Sequence, residues 1–244
     1  MSCDSYADAP ERGIFITFEG GDGAGKTTHI RFLAQHLRER GREVVCLREP
    51  GGTAIGERLR DVVLDPDCVE MCDRTELFVY EAARAQIVAE VILPALARGA
   101  VVLCDRFCDS TVAYQVFGRG LPRAFVDQAN RFATQGLVPD RTILMTTGER
   151  VEVGLERATR HHEADRMELA GLEFHERVTE GFRSLAESER ERVRIVVSRE
   201  RKSETSRMVF SELSDLFPWM RDEAVCSDDP FASLDRARHE GRCR

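Results

Sequence analysis

Lysine is nearly absent from this chain. Its 244 residues include 35 lysines and arginines, yet only Lys26 and Lys202 are lysine. A lysine that survives such a bias marks a place that wants a compact ammonium rather than a planar fork. Long apolar runs are also missing. No stretch approaches the roughly 18 residues of a membrane-spanning helix, so no membrane partner is expected. The first twelve residues are polar, with Asp4, Asp8 and Glu11, and no secretory signal is expected there. None of the eight cysteines forms a CxxC pair, and a chain of this length does not depend on disulfide staples. Free thiols and a cytoplasmic location are the expectation. The alternative is a zinc site from Cys68, Cys72, Cys104 and Cys108, but finger spacing and accompanying histidines are lacking. Surplus positive charge is absent too. The net charge of −8 disfavours a generic nucleic-acid binder, so cations for an anionic ligand must be concentrated locally.

What is present is an alternation of short β-branched runs with longer helical stretches. Strands are expected at 14–19, 44–47, 100–104, 142–145 and 193–197. Apolar residues at Ile30, Leu33, Ala34 and Leu37 give 27–40 the spacing of an amphipathic helix, closed by Gly41. Further helices are expected at 75–98 (bent near Pro94), 110–135 (interrupted at 118–122), 150–159, 168–190 and 203–217. The sum is an α/β domain over 12–217, a three-layer sandwich around a five-stranded parallel sheet. Residues 156–168 are densely charged and read as an exposed lid. Residues 1–11 and 218–244 read as terminal extensions of low order.

One motif carries chemistry. Gly20, Gly21, Asp22, Gly23, Ala24, Gly25, Lys26 and Thr27 match G-x-x-x-x-G-K-[ST] between a strand and a helix. Glycines let backbone N–H groups turn toward phosphate oxygens, and the helix N-terminus adds unpaired donors. Lys26 reaches the β- and γ-phosphates, the Thr27 hydroxyl suits Mg²⁺, and Thr28 is placed to donate to the α-phosphate. A nucleoside triphosphate is therefore the expected ligand. Asp105 ends an apolar strand, which suits a carboxylate aimed at Mg²⁺, or alternatively a helix cap. Arg106 and Arg48 sit at strand C-terminal ends, where open α/β sheets bind ligands. Arg84 follows Tyr80 by four residues, so the two share a helix face.

Further runs fall in a telling order: Phe18-Glu19-Gly20, then Arg48-Glu49-Pro50-Gly51-Gly52-Thr53, then Tyr80-Glu81-Ala82-Ala83-Arg84. Asp105-Arg106-Phe107, Ser110 to Gln115, Gly118-Arg119-Gly120 and Asp165-Arg166-Met167-Glu168 follow. Together with the glycine-rich loop they resemble the thymidylate kinase family over about residues 12–217. The resemblance implies a P-loop nucleoside monophosphate kinase-like fold and the reaction ATP + dTMP → ADP + dTDP with Mg²⁺. It implies that Asp22 meets the deoxyribose 3′-hydroxyl, that Arg106 holds the acceptor phosphate and that Arg48 lies in a stretch bordering that phosphate. By the same resemblance Tyr80 stacks on thymine, while Arg84, Thr111 and Gln115 read its edge. Tyr114 crowds the sugar C2′. A lid arginine, Arg160 or its neighbours Arg157 and Arg166, covers ATP. A homodimer is implied as well, and the apolar residues Leu77, Val88, Val91 and Ile92 are either its face or plain core. The chain departs from the usual pattern with Tyr at 80 and Phe at 107, and Gly23 places it with members whose arginine is in the lid. Two other readings are another pyrimidine nucleoside monophosphate kinase and a GTP-dependent switch. The second should carry an N-K-x-D segment, and no Asn-Lys dipeptide exists.

Overall fold

The run Phe15-Ile16-Thr17-Phe18-Glu19 is mostly apolar and β-branched or aromatic, which suits the centre of a sheet. A computed structural model describes residues 12–148, 151, 154, 163–221, 231, 232, 234 and 235. In it β1 (Phe15–Glu19) is buried along its whole length between β3 (Val101–Asp105) and β4 (Arg141–Thr146). The edge strands are β2 (Val44–Arg48) and β5 (Val193–Val197), and the order is β2-β3-β1-β4-β5. Every pairing is parallel. Buried parallel strands read as continuous apolar runs, which is why the three central segments were visible in the sequence, while the half-exposed β2 and β5 showed through their β-branched residues.

Successive side chains alternate between two cores. Ile16, Phe18, Val101 and Leu103 pack with Ile30, Leu33 and Leu37 of α1 (Lys26–Glu39). Phe15, Val102 and Cys104 pack on the other face with Ile87, Val88 and Ile92. Those last residues belong to one long helix: α3 (Asp73–Ile87), a π-helical turn (Val88–Ile92) and α4 (Leu93–Ala97). No separate break appears at Pro94; the regular helix gives way to this π-turn just before it, and the proline stands in the first turn of α4. Leu77, Val88 and Ile92 are buried within the chain itself and are core; Val91 is half-buried against the cluster that holds Val88 and Ile92.

Sequence periodicity missed one helix, α2 (Ala54–Leu64). Its N-cap Thr53 accepts from the Gly56 N–H at 2.9 Å. After β3 come α5 (Cys108–Thr111), a π-helical stretch (Val112–Gly118) and α6 (Arg123–Ala133). The expected helix at 168–190 is a short 3-10 turn (Glu168–Ala170) and then α7 (Leu172–Ser188). The expected helix at 203–217 is α8 (Lys202–Glu212). Of the helix expected at 150–159, only Val151 and Gly154 are described, and both are helical.

Chain beyond 217 also joins the core. Pro218–Arg221 forms a 3-10 turn, and Phe231 is fully buried against Phe32 and Phe210. Asp235 accepts from the Ser203 hydroxyl at 2.6 Å. These positions lie in the stretch expected to be a poorly ordered extension. Leu234 packs against the same cluster, and apart from it and Ala232 the rest of that stretch, with 1–11, lies outside the described residues.

Candidate active site

The parallel sheet brings its chemistry to one edge. Arg48 of β2 and Phe18 of β1 both register with Asp105 of β3, so three strand C-termini finish level. The glycine-rich loop leaves β1 there. Gly20 takes φ +122°, and a Cβ on it would meet the Met145 carbonyl oxygen at 2.0 Å, so only glycine fits. Gly25 caps α1 at φ +91°. Lys26 is buried and donates to the carbonyls of Gly20 and Gly21 at 3.1 and 3.0 Å. Burial and the nearby Arg106 lower its pKa, while Asp22, Asp105 and Glu19 hold its charge in place.

Thr27 donates to Asp105 Oδ2 at 2.9 Å. A hydroxyl and a carboxylate oxygen side by side at the mouth of a phosphate loop suit Mg²⁺, which takes hard oxygen donors and leaves its other positions to phosphate and water. Cys68, Cys72, Cys104 and Cys108, the disfavoured zinc alternative, do not gather into one cluster. Among the described residues no cluster of three or more His, Cys, Asp and Glu is able to hold a metal.

Arg106 lies one residue past β3 with φ +70°, unusual for a non-glycine residue. Its N–H donates to the Phe18 carbonyl at 2.9 Å, and its Nη2 donates to Asp22 Oδ1 at 2.5 Å. Burial alone would raise the Asp22 carboxyl, but Arg106 and Lys26 overrule it and hold it at about 2. Behind them, Glu19 accepts from the Phe107 N–H at 2.7 Å and the Ser110 hydroxyl at 2.5 Å. Burial and the Asp109 charge push the Glu19 carboxyl well above the usual carboxylate range.

Next to this pair is a cavity of about 110 Å³ that Tyr80, Arg84, Arg106, Thr111, Tyr114 and Gln115 all line. Residues from α3, the β3 end and the α5–π segment, scattered in sequence, are thus brought together. Arg84 is buried and donates to Glu49, Glu81, Thr111 and Asn130 at 2.7–2.9 Å. The Glu49–Pro50 peptide is cis, and Glu49 pairs with Arg84 at 2.8 Å. Burial lifts the Glu49 carboxyl to about 7 despite Arg84, with Glu81 adding to the rise. Tyr114 packs its ring against Phe174 and Phe182, with Arg106 over its face at 5.3 Å. Asp22 and Tyr114 also border a second cavity, of about 390 Å³, toward α7.

Two expected residues are placed differently. Arg48 is exposed, pairs with Glu57 at 2.8 Å and does not line the cavity. Arg166 is spent on Glu76 at 2.6 Å and on the Val63 carbonyl. Arg157, Arg160 and the adjacent His161 and His162 lie outside the described residues. Sequence reading missed Arg60, which lines the cavity and donates to the Pro50 carbonyl at 2.9 Å. It also missed Glu49, Glu76 and Glu19. Arg60 sits on the unrecognised α2, where an amphipathic reading after Thr53 would have found it.

Comparison with known proteins agrees with this geometry. The thymidylate kinase family model matches residues 18–209. A thymidylate kinase of Pelobacter propionicus is 50% identical over 186 residues, covering 74% of this chain and 84% of that protein. One from Deinococcus radiodurans is 44% identical over 204 residues, covering 84% and 98%. The crystal structure of thymidylate kinase from Ehrlichia chaffeensis superposes with a TM-score of 0.68 at 30% identity, covering 83% of this chain and 99% of that one. With a matching loop, cavity and sheet order already in place, the chain belongs to the thymidylate kinase family.

Proposed function

We propose that this chain transfers the γ-phosphoryl group of Mg²⁺-bound ATP to the 5′-phosphate of dTMP, in the cytoplasm and as a homodimer. The observation that carries this reading is a cavity lined by Tyr80, Arg84 and Gln115 that opens onto the Arg106–Asp22 pair beside a P-loop lysine. Tyr80 supplies a stacking face, and Arg84 and Gln115 supply polar groups for a pyrimidine edge. Tyr114 stands next to Asp22, where a 2′-hydroxyl would crowd its ring and a 3′-hydroxyl would meet the carboxylate.

No general base is required. A phosphate monoester has its second pKa near 6, so the acceptor is mostly a dianion at neutral pH. Repulsion is the obstacle, because ATP brings about −4 and dTMP about −2. Two unit charges about 4 Å apart interact by about 4 kcal/mol at an effective dielectric near 20. Lys26 meets the donor phosphates and Arg106 meets the acceptor phosphate. Arg60 takes the place first expected of Arg48, and a lid arginine, Arg160 or Arg157, completes the set. Thr27 and Asp105 would hold Mg²⁺, which neutralises donor phosphate charge. The residues position and stabilise rather than react covalently.

Association through α3 and α6 is supported by two exposed rings. Phe78 and Phe125 are 56% and 47% exposed and meet edge-on at 6.2 Å. Among the described residues no helix is long and apolar enough to cross a membrane.

Coupled ADP release, measured with purified protein across nucleoside monophosphates, tests the reading. dTMP should be the best acceptor and dUMP a poorer one, since a methyl group in a pocket is worth about 1–3 kcal/mol. An absence of dTMP-dependent ADP release overturns it.

A further inference from the structure

Glu76 is a fully buried carboxylate on α3 for which the reaction as described has no use. Its Oε1 accepts from Gln115 Nε2 at 2.8 Å and from Arg119 Nε at 3.1 Å. Its Oε2 accepts from Arg119 Nη2 at 2.8 Å and Arg166 Nη2 at 2.6 Å. Burial opposes its charge, but these donors prevail and keep it ionised. An ionised carboxylate only accepts hydrogen bonds. A glutamine amide is ambiguous by itself, with one end donating and the other accepting. Glu76 removes the ambiguity, because the NH₂ of Gln115 must face it. The Gln115 carbonyl oxygen is then the part of the amide not committed to Glu76, in a side chain that lines the cavity beside Tyr80. No described residue donates to it.

We infer that Glu76 is a positioning residue for base selection: by fixing the flip of Gln115, it presents an acceptor where the N3 position of the pyrimidine lies. The inference rests on the dTMP-kinase reading and adds the device that enforces it. Thymine and uracil carry a hydrogen on N3 and donate to that oxygen. Cytosine has a lone pair on N3, so two acceptors would face each other. Arg84, which only donates, repeats the selection at the neighbouring exocyclic position, where cytosine has an amine in place of a carbonyl oxygen. Arg119 and Arg166 serve Glu76 in turn by keeping it charged, and Arg119 is itself seated on the Phe174 ring at 4.4 Å.

The test compares dUMP with dCMP, which differ only along this edge, and includes dTMP. ADP release gives kcat and KM for wild type, Glu76→Gln, Gln115→Ala and the double variant. A neutral amide at 76 both donates and accepts, so Gln115 is free to flip. Glu76→Gln should lower the dUMP-to-dCMP ratio of kcat/KM by about tenfold or more, chiefly through a higher KM for dUMP and dTMP. In the Gln115→Ala background the same change should move the ratio by less than about twofold. A general loosening of the fold or lid affects both acceptors alike and leaves the ratio in place. An unmoved ratio in folded Glu76→Gln, or an equal drop without Gln115, overturns the assignment. A crystal of the wild type with dTMP tests it independently of any variant's folding. Gln115 should sit within hydrogen-bond distance of both Glu76 and N3, and an N3 out of its reach overturns the assignment. If the wild type releases no ADP with dTMP, the substrate reading falls first and the inference falls with it. Normal dTMP turnover with an unmoved ratio overturns only the role of Glu76.

Discussion

Arg106 reaches back across the site to Asp22, with Nη2 and Oδ1 2.5 Å apart, from a backbone held at φ +70°. The left-handed conformation turns the side chain off the end of β3 and toward the P-loop. It costs a non-glycine residue on the order of 1 kcal/mol, a strain of the kind that gathers at functional sites. Arg106→Ala and Arg106→Gly should both lower dTMP-dependent phosphoryl transfer by about two orders of magnitude or more. They should differ in stability, with the glycine variant the more stable by roughly 1 kcal/mol in urea unfolding. Near-normal turnover in either variant contradicts the role given to this guanidinium.

Glu49 gives the protein a pH signature. Its carboxyl is raised from the usual range to about 7, mainly by burial. For an acid raised on folding, the stabilising contribution is complete below the unfolded pKa and is lost as pH rises through the folded one. The melting temperature of wild type minus that of Glu49→Gln should therefore fall between about pH 5 and pH 8. A difference that stays flat or grows over that interval shows the group ionised throughout.

Arg60 should matter to binding of the acceptor more than to the fold. Arg60→Ala is expected to raise the KM for dTMP about tenfold, with unfolding shifted little. Arg48→Ala, which loses only an exposed pair with Glu57, should change KM less than about twofold. Steady-state kinetics of the two variants side by side decide between the arginines.

Tyr114 is lodged between Phe174 and Phe182, so its removal must be judged with the core kept filled. Tyr114→Leu should raise UMP turnover relative to dUMP by about tenfold, at a stability cost of a few kcal/mol. Unchanged discrimination between the two sugars argues against ring crowding at C2′.

Phe78 and Phe125 leave large rings in water where α3 and α6 meet. Phe78→Glu should shift sedimentation from dimer to monomer without lowering the melting temperature of the monomer fold. A wild type that sediments as a monomer at micromolar concentration excludes this association.

Local features of the sequence translated well into structure. The glycine-rich loop needs only a strand before it and a helix after it, and both are contiguous with it. The three central strands, β1, β3 and β4, are buried on both faces, so they appear as apolar runs. What was not legible depends on packing between distant segments. Glu76 gathers donors from residues 115, 119 and 166, and Glu49 meets Arg84 across 35 positions. A buried glutamate looks like any surface glutamate until the chain folds around it. The dimer-or-core ambiguity of Leu77, Val88 and Ile92 is similar, because an apolar stripe does not say what covers it. Arg60 went unread because the helix carrying it begins just after a Gly-Gly turn that broke the periodic signal.

The decisive measurement is a crystal structure of the full chain with dTMP and a non-hydrolysable ATP analogue. Thymine should stack on Tyr80, the dTMP phosphate should contact Arg106, and the triphosphate should follow the backbone of residues 20–27 with its terminal phosphate at Lys26. A pyrimidine bound away from Tyr80, or an acceptor phosphate that leaves Arg106 paired only with Asp22, contradicts the proposed phosphoryl transfer at this site.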